Sequence, residues 1–205
     1  MLELFVSAFV TLFVIIDPPG CAPIFAGLTA GTTAEHRRAM AVRAVVVAAL
    51  ILLVFALAGE PLLHVLGIEL ASFRIAGGVM LFLIALEMVF EKRTQRREDR
   101  AAKITTEEAD DVSIFPMAMP MIAGPGSIAS VMLLTARSHG VEQTAVVMAA
   151  LAANLVLMLL ALLAAGPLMR VMGAKIEAVI TRLLGVLLAA LAVQFVIDGI
   201  MEQVR

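Results

Sequence analysis

The sequence predicts an all-α membrane protein: six transmembrane helices, built as two inverted-topology three-helix repeats, with helices 1 and 4 broken at Pro/Gly motifs. Three observations predict it. Of 205 residues, 62% are hydrophobic and 16% charged; soluble domains average about 45–50% apolar, Gly included, and about 25% charged. Mean hydropathy is +1.04. A soluble globule this small has too high a surface-to-volume ratio to hide that much apolar surface. Second, apolar runs recur along the chain. Third, the second half of the chain repeats the first.

The runs lie at about 3–28, 39–59, 70–90, 112–136, 144–166 and 178–199. Each is near or above the ~20 residues that cross a ~30 Å hydrocarbon core as a helix. Helix follows because every backbone polar group in lipid must be satisfied within its own segment, and the runs lack the alternation of barrel strands. With the N-terminus placed on one side, the opposite side receives Arg37, Arg38, Arg43, Lys92, Arg93, Arg96, Arg97, Arg100, Lys103, Arg170, Lys175 and Arg182. That is twelve of the fifteen Lys and Arg residues. The positive-inside rule makes that side cytoplasmic and leaves both termini outside. The whole chain, 1–205, is one transmembrane domain: repeat one over 1–90, a charged cytoplasmic loop over 91–111, and repeat two over 112–205. There is no Trp and no Tyr, so Arg and Lys at the span ends must anchor the helices at the interface by snorkelling.

Composition also excludes function classes. A net charge of −2 with no basic domain argues against nucleic acid as a partner. A single cysteine, Cys21, allows neither an intrachain disulfide nor a CxxC relay. His36, His64 and His139 lie far apart, so no metal site or cofactor is expected. The first apolar run lacks a basic leader, so no cleavable signal peptide is expected. No Walker A string is present, and ATP is not the expected direct energy source. No placed nucleophile and base suggest an enzyme, and no catalytic residue is assigned.

Shifted by 106, Val6-Ser7-x-Phe9 falls on Val112-Ser113-x-Phe115, Pro19-Gly20 on Pro125-Gly126, and Leu28-Thr29-Ala30 on Leu134-Thr135-Ala136. Pro61-Leu62-x-x-Val65-x-Gly67 falls on Pro167-Leu168-x-x-Val171-x-Gly173. Over 6–67 there are 18 identities in 62 ungapped positions. After a two-residue insertion, Arg74 falls on Arg182 and Gly77 on Gly185. Three spans per repeat force the second copy to enter from the opposite face, an arrangement found in secondary transporters.

Two strings cannot continue a helix. Asp17-Pro18-Pro19-Gly20 interrupts span one, because two prolines remove two donors and clash with the preceding turn. Gly124-Pro125-Gly126 interrupts span four. Unwound backbone in a membrane must be buried in protein or line a wet cavity. One half-helix then offers N–H groups and the other offers carbonyls, which together suit a small zwitterion. The candidate substrate-binding residues are Asp17, Pro18, Pro19, Gly20, Cys21 and Ala22 at the first break, Gly124, Pro125, Gly126, Ser127 and Ile128 at the second, and Asn154 in span five. Asp17 is either a helix cap, a proton carrier or a ligand, and Ala123 stands at its repeat-matched place. Asn154 either reaches the solute or bonds a neighbouring helix. Arg74 and Arg182 either gate the pathway or anchor span ends. Thr11, Glu87, Gln194 and Asp198 are weaker candidates.

Four strings resemble the MarC family, also called UPF0056 or SnatA-like: Thr11-Leu12-Phe13-Val14-Ile15-Ile16-Asp17-Pro18-Pro19-Gly20-Cys21-Ala22-Pro23-Ile24-Phe25, Phe73-Arg74-Ile75-Ala76-Gly77-Gly78, Phe115-Pro116-Met117-Ala118-Met119-Pro120 with Ala123-Gly124-Pro125-Gly126, and Ala192-Val193-Gln194-Phe195-Val196-Ile197-Asp198-Gly199. They occur in order across nearly the whole chain. The resemblance implies a six-span protein of the bacterial inner membrane, distantly similar to LysE-type exporters, in a family where some members are regarded as transporters of glycine- or alanine-sized neutral amino acids. The expected function is secondary transport of such a solute, with the lipid bilayer as solvent, a proton or sodium ion as coupling partner and a homo-oligomer left open. The alternatives are an ion channel or ion exporter, or a membrane protein with a non-transport role.

Overall fold

The computed structural model describes residues 1–90 and 111–204, the side chains of 168–177 apart. The expected charged loop over 91–111 therefore lies outside the described residues, except for Asp111. The described residues are all-helical, without a strand. In order they form α1 (Leu2–Ile16), α2 (Pro18–Leu28), α3 (Ala34–Val65), α4 (Leu70–Val89), an irregular α5 (Ser113–Ile122), α6 (Pro125–Ala136), α7 (Val141–Leu163) and α8 (Ala165–Val204). Among the described residues, five stretches are long and apolar enough to cross a membrane: Leu2–Leu28, Ala34–Val65, Leu70–Val89, Val141–Leu163 and Ala178–Val204. Counting α5 and α6, bent by 53° to one another, as a sixth crossing gives six.

Local chemistry sets the ends. Phe5, Phe9 and Phe13 stack along one face of α1 at centroid separations of 6.0 and 6.1 Å. Thr33 starts α3: its hydroxyl oxygen accepts from the His36 amide at 3.2 Å. This cap begins the helix ahead of the apolar run, and α3 continues past the run to Val65. At 32 residues it is about 48 Å long, more than a hydrocarbon core needs, so its charged ends extend beyond lipid. Hydropathy registers only the apolar middle. For the same reason the connection expected around 167–177 is helical, being part of the 40-residue α8.

α1 packs on α7, and α5 packs on α3. α2 packs on α7 and α8, and α6 packs on α3 and α4. The most extensive pairing is α4 with α8, and glycines make it close. A Cβ at Gly78 would lie 2.8 Å from the Ala192 carbonyl oxygen. One at Gly185 would lie 2.9 Å from the Met88 Cβ, and one at Gly199 would lie 2.9 Å from the Ala71 carbonyl oxygen. The early residues of α4 thus meet the late residues of α8, so the pair is antiparallel. Small residues let membrane helices approach until main-chain contacts form, which is a chief source of stability where lipid is as apolar as Leu.

Two buried clusters result. One joins α1, α2, α3, α5, α6 and α7 through Leu12, Ile16, Phe25, Met40, Leu52, Met117, Ile122, Leu151 and Met158 among others. The other joins α1, α4, α6 and α8 through Ile15, Leu81, Leu133, Leu188 and Phe195. The outside is also apolar: Leu50, Leu83, Leu160 and Leu187 are exposed. Continuous apolar surface of this kind suits acyl chains and would aggregate in water.

Candidate functional site

The first interruption is built by Asp17. Its φ of 59° takes the left-handed conformation, and its amide still donates to the Phe13 carbonyl, closing α1. Its carboxylate Oδ1 then accepts from the Gly20 amide at 3.1 Å, and its carbonyl accepts from the Cys21 amide at 3.1 Å, opening α2. Pro18 and Pro19 occupy the first helical positions, where a missing N–H costs nothing. Gly20 is required sterically, because a Cβ there would lie 2.3 Å from Asp17 Oδ2. Asp17, Pro18, Cys21 and Ala22 are buried, and Pro19 is half-buried. The Cys21 thiol reaches the Ile16 carbonyl at 3.6 Å.

The second interruption is longer than the Gly-Pro-Gly string. α5 is wound in wide turns, with the Met117 amide donating to the Val112 carbonyl and the Ala123 amide to the Ala118 carbonyl. Phe115 and Met119 are extended within it. Wide turns of this type concentrate at functional sites. The Gly-Pro-Gly string alone puts the break at Gly124; the irregular backbone begins nine residues earlier, at Phe115, just before Pro116, with Met119 before Pro120. Residues before proline are driven to extended backbone, so these prolines were the available signal. Gly124 allows the tight turn, because a Cβ there would lie 2.4 Å from the Pro120 carbonyl oxygen. Pro125 opens α6; Gly126 and Ser127 are buried and Ile128 is half-buried.

The two interruptions come together. A Cβ on Gly126 would lie 3.4 Å from Ile15 Cγ2 and 2.6 Å from Ile84 Cδ1. The start of α6 is therefore pressed against the end of α1, two residues before Asp17. The room beside Gly126 is filled by these side chains, so its missing side chain serves helix packing. The two breaks also differ electrically. Asp17 places a buried carboxylate at the start of α2, whereas Ala123 precedes α6, and no side chain caps α6.

Asn154 is fully buried. Its Nδ2 donates to the Phe9 carbonyl at 3.1 Å and to the Ala150 carbonyl at 2.9 Å, tying α7 to α1. Its Oδ1, and the hydroxyls of Ser113 and Ser130, are buried without a hydrogen-bond partner among the described residues. Buried polar atoms are nearly always satisfied, so such exceptions mark places of interest. The two serines were not singled out from sequence, where a lone Ser in an apolar run is unremarked.

Charged groups gather at the helix ends. Where α4 begins and α8 ends, Arg74 pairs with Glu202. Beside it, Arg137 pairs with Asp198 at 2.5 Å, Gln194 donates to the same carboxylate at 2.6 Å, and the Arg137 guanidinium lies 4.6 Å from the centre of the Phe195 ring. Burial pushes the Arg137 guanidinium below its ordinary value; the Asp198 charge opposes this and nearby Arg74 adds to it. Arg74 thus fastens α4 to α8, while Arg182 is exposed on α8. At the opposite end Arg43 pairs with Asp111, and Arg37 reaches the Thr29 carbonyl. Burial raises the Asp111 carboxyl, but the hydrogen bond from the Ser113 amide at 2.9 Å and the Arg43 charge outweigh it and hold the carboxyl below its ordinary 3.8.

Two cavities open away from the breaks. One of about 400 Å³ between α1 and α8 is apolar apart from Ser7 and Thr11. Another of about 520 Å³ lies among α3, α6 and α7 and includes Glu60 and His64, residues to which the sequence reading gave no role. Among the described residues no three His, Cys, Asp or Glu side chains gather as a metal site would require.

Comparison with known proteins agrees with this architecture. Residues 2–204 match the MarC family of integral membrane proteins. A UPF0056 membrane protein of Methanocaldococcus jannaschii is 37% identical over 202 residues, covering 97% of each chain. UPF0056 membrane protein YvbG of Bacillus subtilis is 35% identical, covering 98% of this chain and 95% of its own. UPF0056 inner membrane protein YhgN of Escherichia coli is 34% identical, covering 95% of each. No solved structure matches. A full-length family match, and relatives above 30% identity along nearly the entire chain, join the helical, lipid-suited architecture in one conclusion: this chain belongs to the MarC family of integral membrane proteins.

Proposed function

We propose that the chain is a secondary transporter of a small zwitterionic solute, with neutral amino acids of glycine and alanine size as the first class to test. The observation that carries this reading is the meeting of two helix interruptions in the buried core, Gly126 lying against Ile15. Broken helices near mid-span supply charged or dipolar ends where a continuous helix would offer none. Asp17 already takes the place of an anion at the start of α2, so this end favours the ammonium of a solute. The uncapped start of α6 favours its carboxylate. Both charges of a zwitterion then have partners, and Asp17 is the group to exchange a coupling proton or sodium ion.

Inverted repeats support alternating access. The packing of α1 on α7 mirrors that of α5 on α3, and α2 on α7 and α8 mirrors α6 on α3 and α4. This is the pattern a two-fold axis in the membrane plane would produce. The name of the E. coli relative and the distribution of Lys and Arg favour an inner-membrane location with both termini outside.

The test is counterflow in proteoliposomes. Vesicles loaded with unlabelled alanine or glycine should take up trace label in a saturable, protein-dependent way. Absence of exchange across a panel of neutral amino acids, with protein correctly inserted, overturns the assignment of substrate. A steady ionic conductance in the same vesicles would move the reading to an ion channel.

A further inference from the structure

The cavity among α3, α6 and α7 sets a polar wall against an apolar one of Ala56, Leu57 and Pro61. It lies at the end of the bundle that holds the Arg137–Asp198 pair, where α3 and α6 end and α7 begins. Its polar wall is Glu60, His64, Thr135, Ser138 and Thr144. Glu60 and His64 stand one turn apart and share a face of α3. All three hydroxyls commit their hydrogens to main-chain carbonyls. Thr135 donates to Val131 at 2.9 Å, Ser138 to Leu134 at 3.0 Å and Thr144 to Gly140 at 3.2 Å. A hydroxyl that has given its one hydrogen presents only lone pairs to a ligand.

Charge points the same way. Glu60 has no hydrogen-bond or ion-pair partner among the described residues. Arg137, the cation closest along the chain to this wall, is engaged by Asp198. The carbonyl ends of α3 and α6 add negative partial charge, partly offset by the N–H end of α7. Glu60 and the three hydroxyls therefore offer acceptors and call for a cationic donor, while the His64 imidazole carries an N–H that suits an anionic group. A metal ion is a poor fit, because no cluster of three ligating side chains is present among the described residues. An ammonium group has three donors and one positive charge, matching a carboxylate and hydroxyl oxygens together.

We propose that this cavity binds the primary ammonium group of a small solute, with Glu60 as its counter-charge and His64 placed to meet a carboxylate on the same molecule. The inference deepens the transport reading and rests on it in one respect: the solute is then the transported zwitterion, held at the mouth of the bundle.

The chain has no Trp, so Leu57→Trp on the cavity wall is its only indole. The full chain carrying this reporter is titrated with alanine, propylamine and propionate. Alanine and propylamine should shift the emission saturably and propionate should not. Glu60→Gln should weaken propylamine binding by about tenfold or more, as expected for losing a charged hydrogen-bond partner. Calorimetric titration of propylamine into the chain with and without Glu60→Gln reads the same contrast without a reporter, should Leu57→Trp fail to fold. No saturable propylamine binding, or equal binding with Glu60→Gln, overturns the proposal. Counterflow separates the two readings: exchange with Glu60-independent propylamine binding sinks the cavity alone. Glu60-dependent binding without exchange sinks transport alone.

Discussion

At the scale of single residues, Asp17 does two tasks with one side chain. Its left-handed backbone ends α1 and its carboxylate opens α2. Asn offers the same acceptor without the charge and also tolerates left-handed backbone. Asp17→Asn is therefore expected to melt near the wild-type temperature in detergent while losing uptake driven by a proton or sodium gradient. Asp17→Ala loses the cap at a cost of about 1 kcal/mol. Gly20→Ala drives a methyl into the Asp17 carboxylate and should cost about 1–3 kcal/mol, read as a lower melting temperature. The cap was legible in the sequence, because Asp before Pro-Pro-Gly has few other uses. The packing of Gly126 against Ile84 was not, because nothing along the chain says which distant helix approaches a glycine.

At the scale of elements, α4 and α8 form the closest pair, and glycines set the spacing. Gly78→Val or Gly185→Val should each lower thermal stability by about 1–3 kcal/mol, since main-chain and Cβ atoms of the partner lie where the new carbons would go. Gly27→Ala is the control. It meets nothing within 4 Å and sits in a helix, so the change should be neutral or gain up to about 1 kcal/mol. Thermal melts of the purified variants decide between these outcomes. α5 shows where a sequence reading of elements stops. A hydropathy run cannot distinguish a regular helix from wide turns with extended residues, since both bury the same side chains. Pro116 and Pro120 carried the warning.

At the scale of the whole molecule, both helix ends of the bundle are fastened by ion pairs: Arg74–Glu202 and Arg137–Asp198 at one, Arg43–Asp111 at the other. The Asp111 carboxyl sits below its ordinary value, so its folded form is favoured above the unfolded value of 3.8, and that stabilisation is lost as pH falls through the lower folded value. Both partners are more than a third exposed, so solvent screening limits the pair to about 0–1 kcal/mol. Asp111→Asn should lower stability slightly at neutral pH and remove that part of the acid dependence. Melts from neutral pH down to below 3.8 would show it as a flatter slope.

The sequence by itself determined the solvent, the helical class and the approximate spans, because these follow from composition and from the length of apolar runs. Pro and Gly strings also marked where regular helix must stop. Tertiary structure decided what those stops are near. It brought the start of α6 against the end of α1, turned Asn154 toward the Phe9 carbonyl, and assembled Glu60, His64 and three hydroxyls from α3, α6, α7 and the α6–α7 connection around one cavity. Such neighbours depend on helix rotation and close packing among residues distant in sequence, and apolar periodicity is nearly blind to rotation when both core and lipid accept the same side chains.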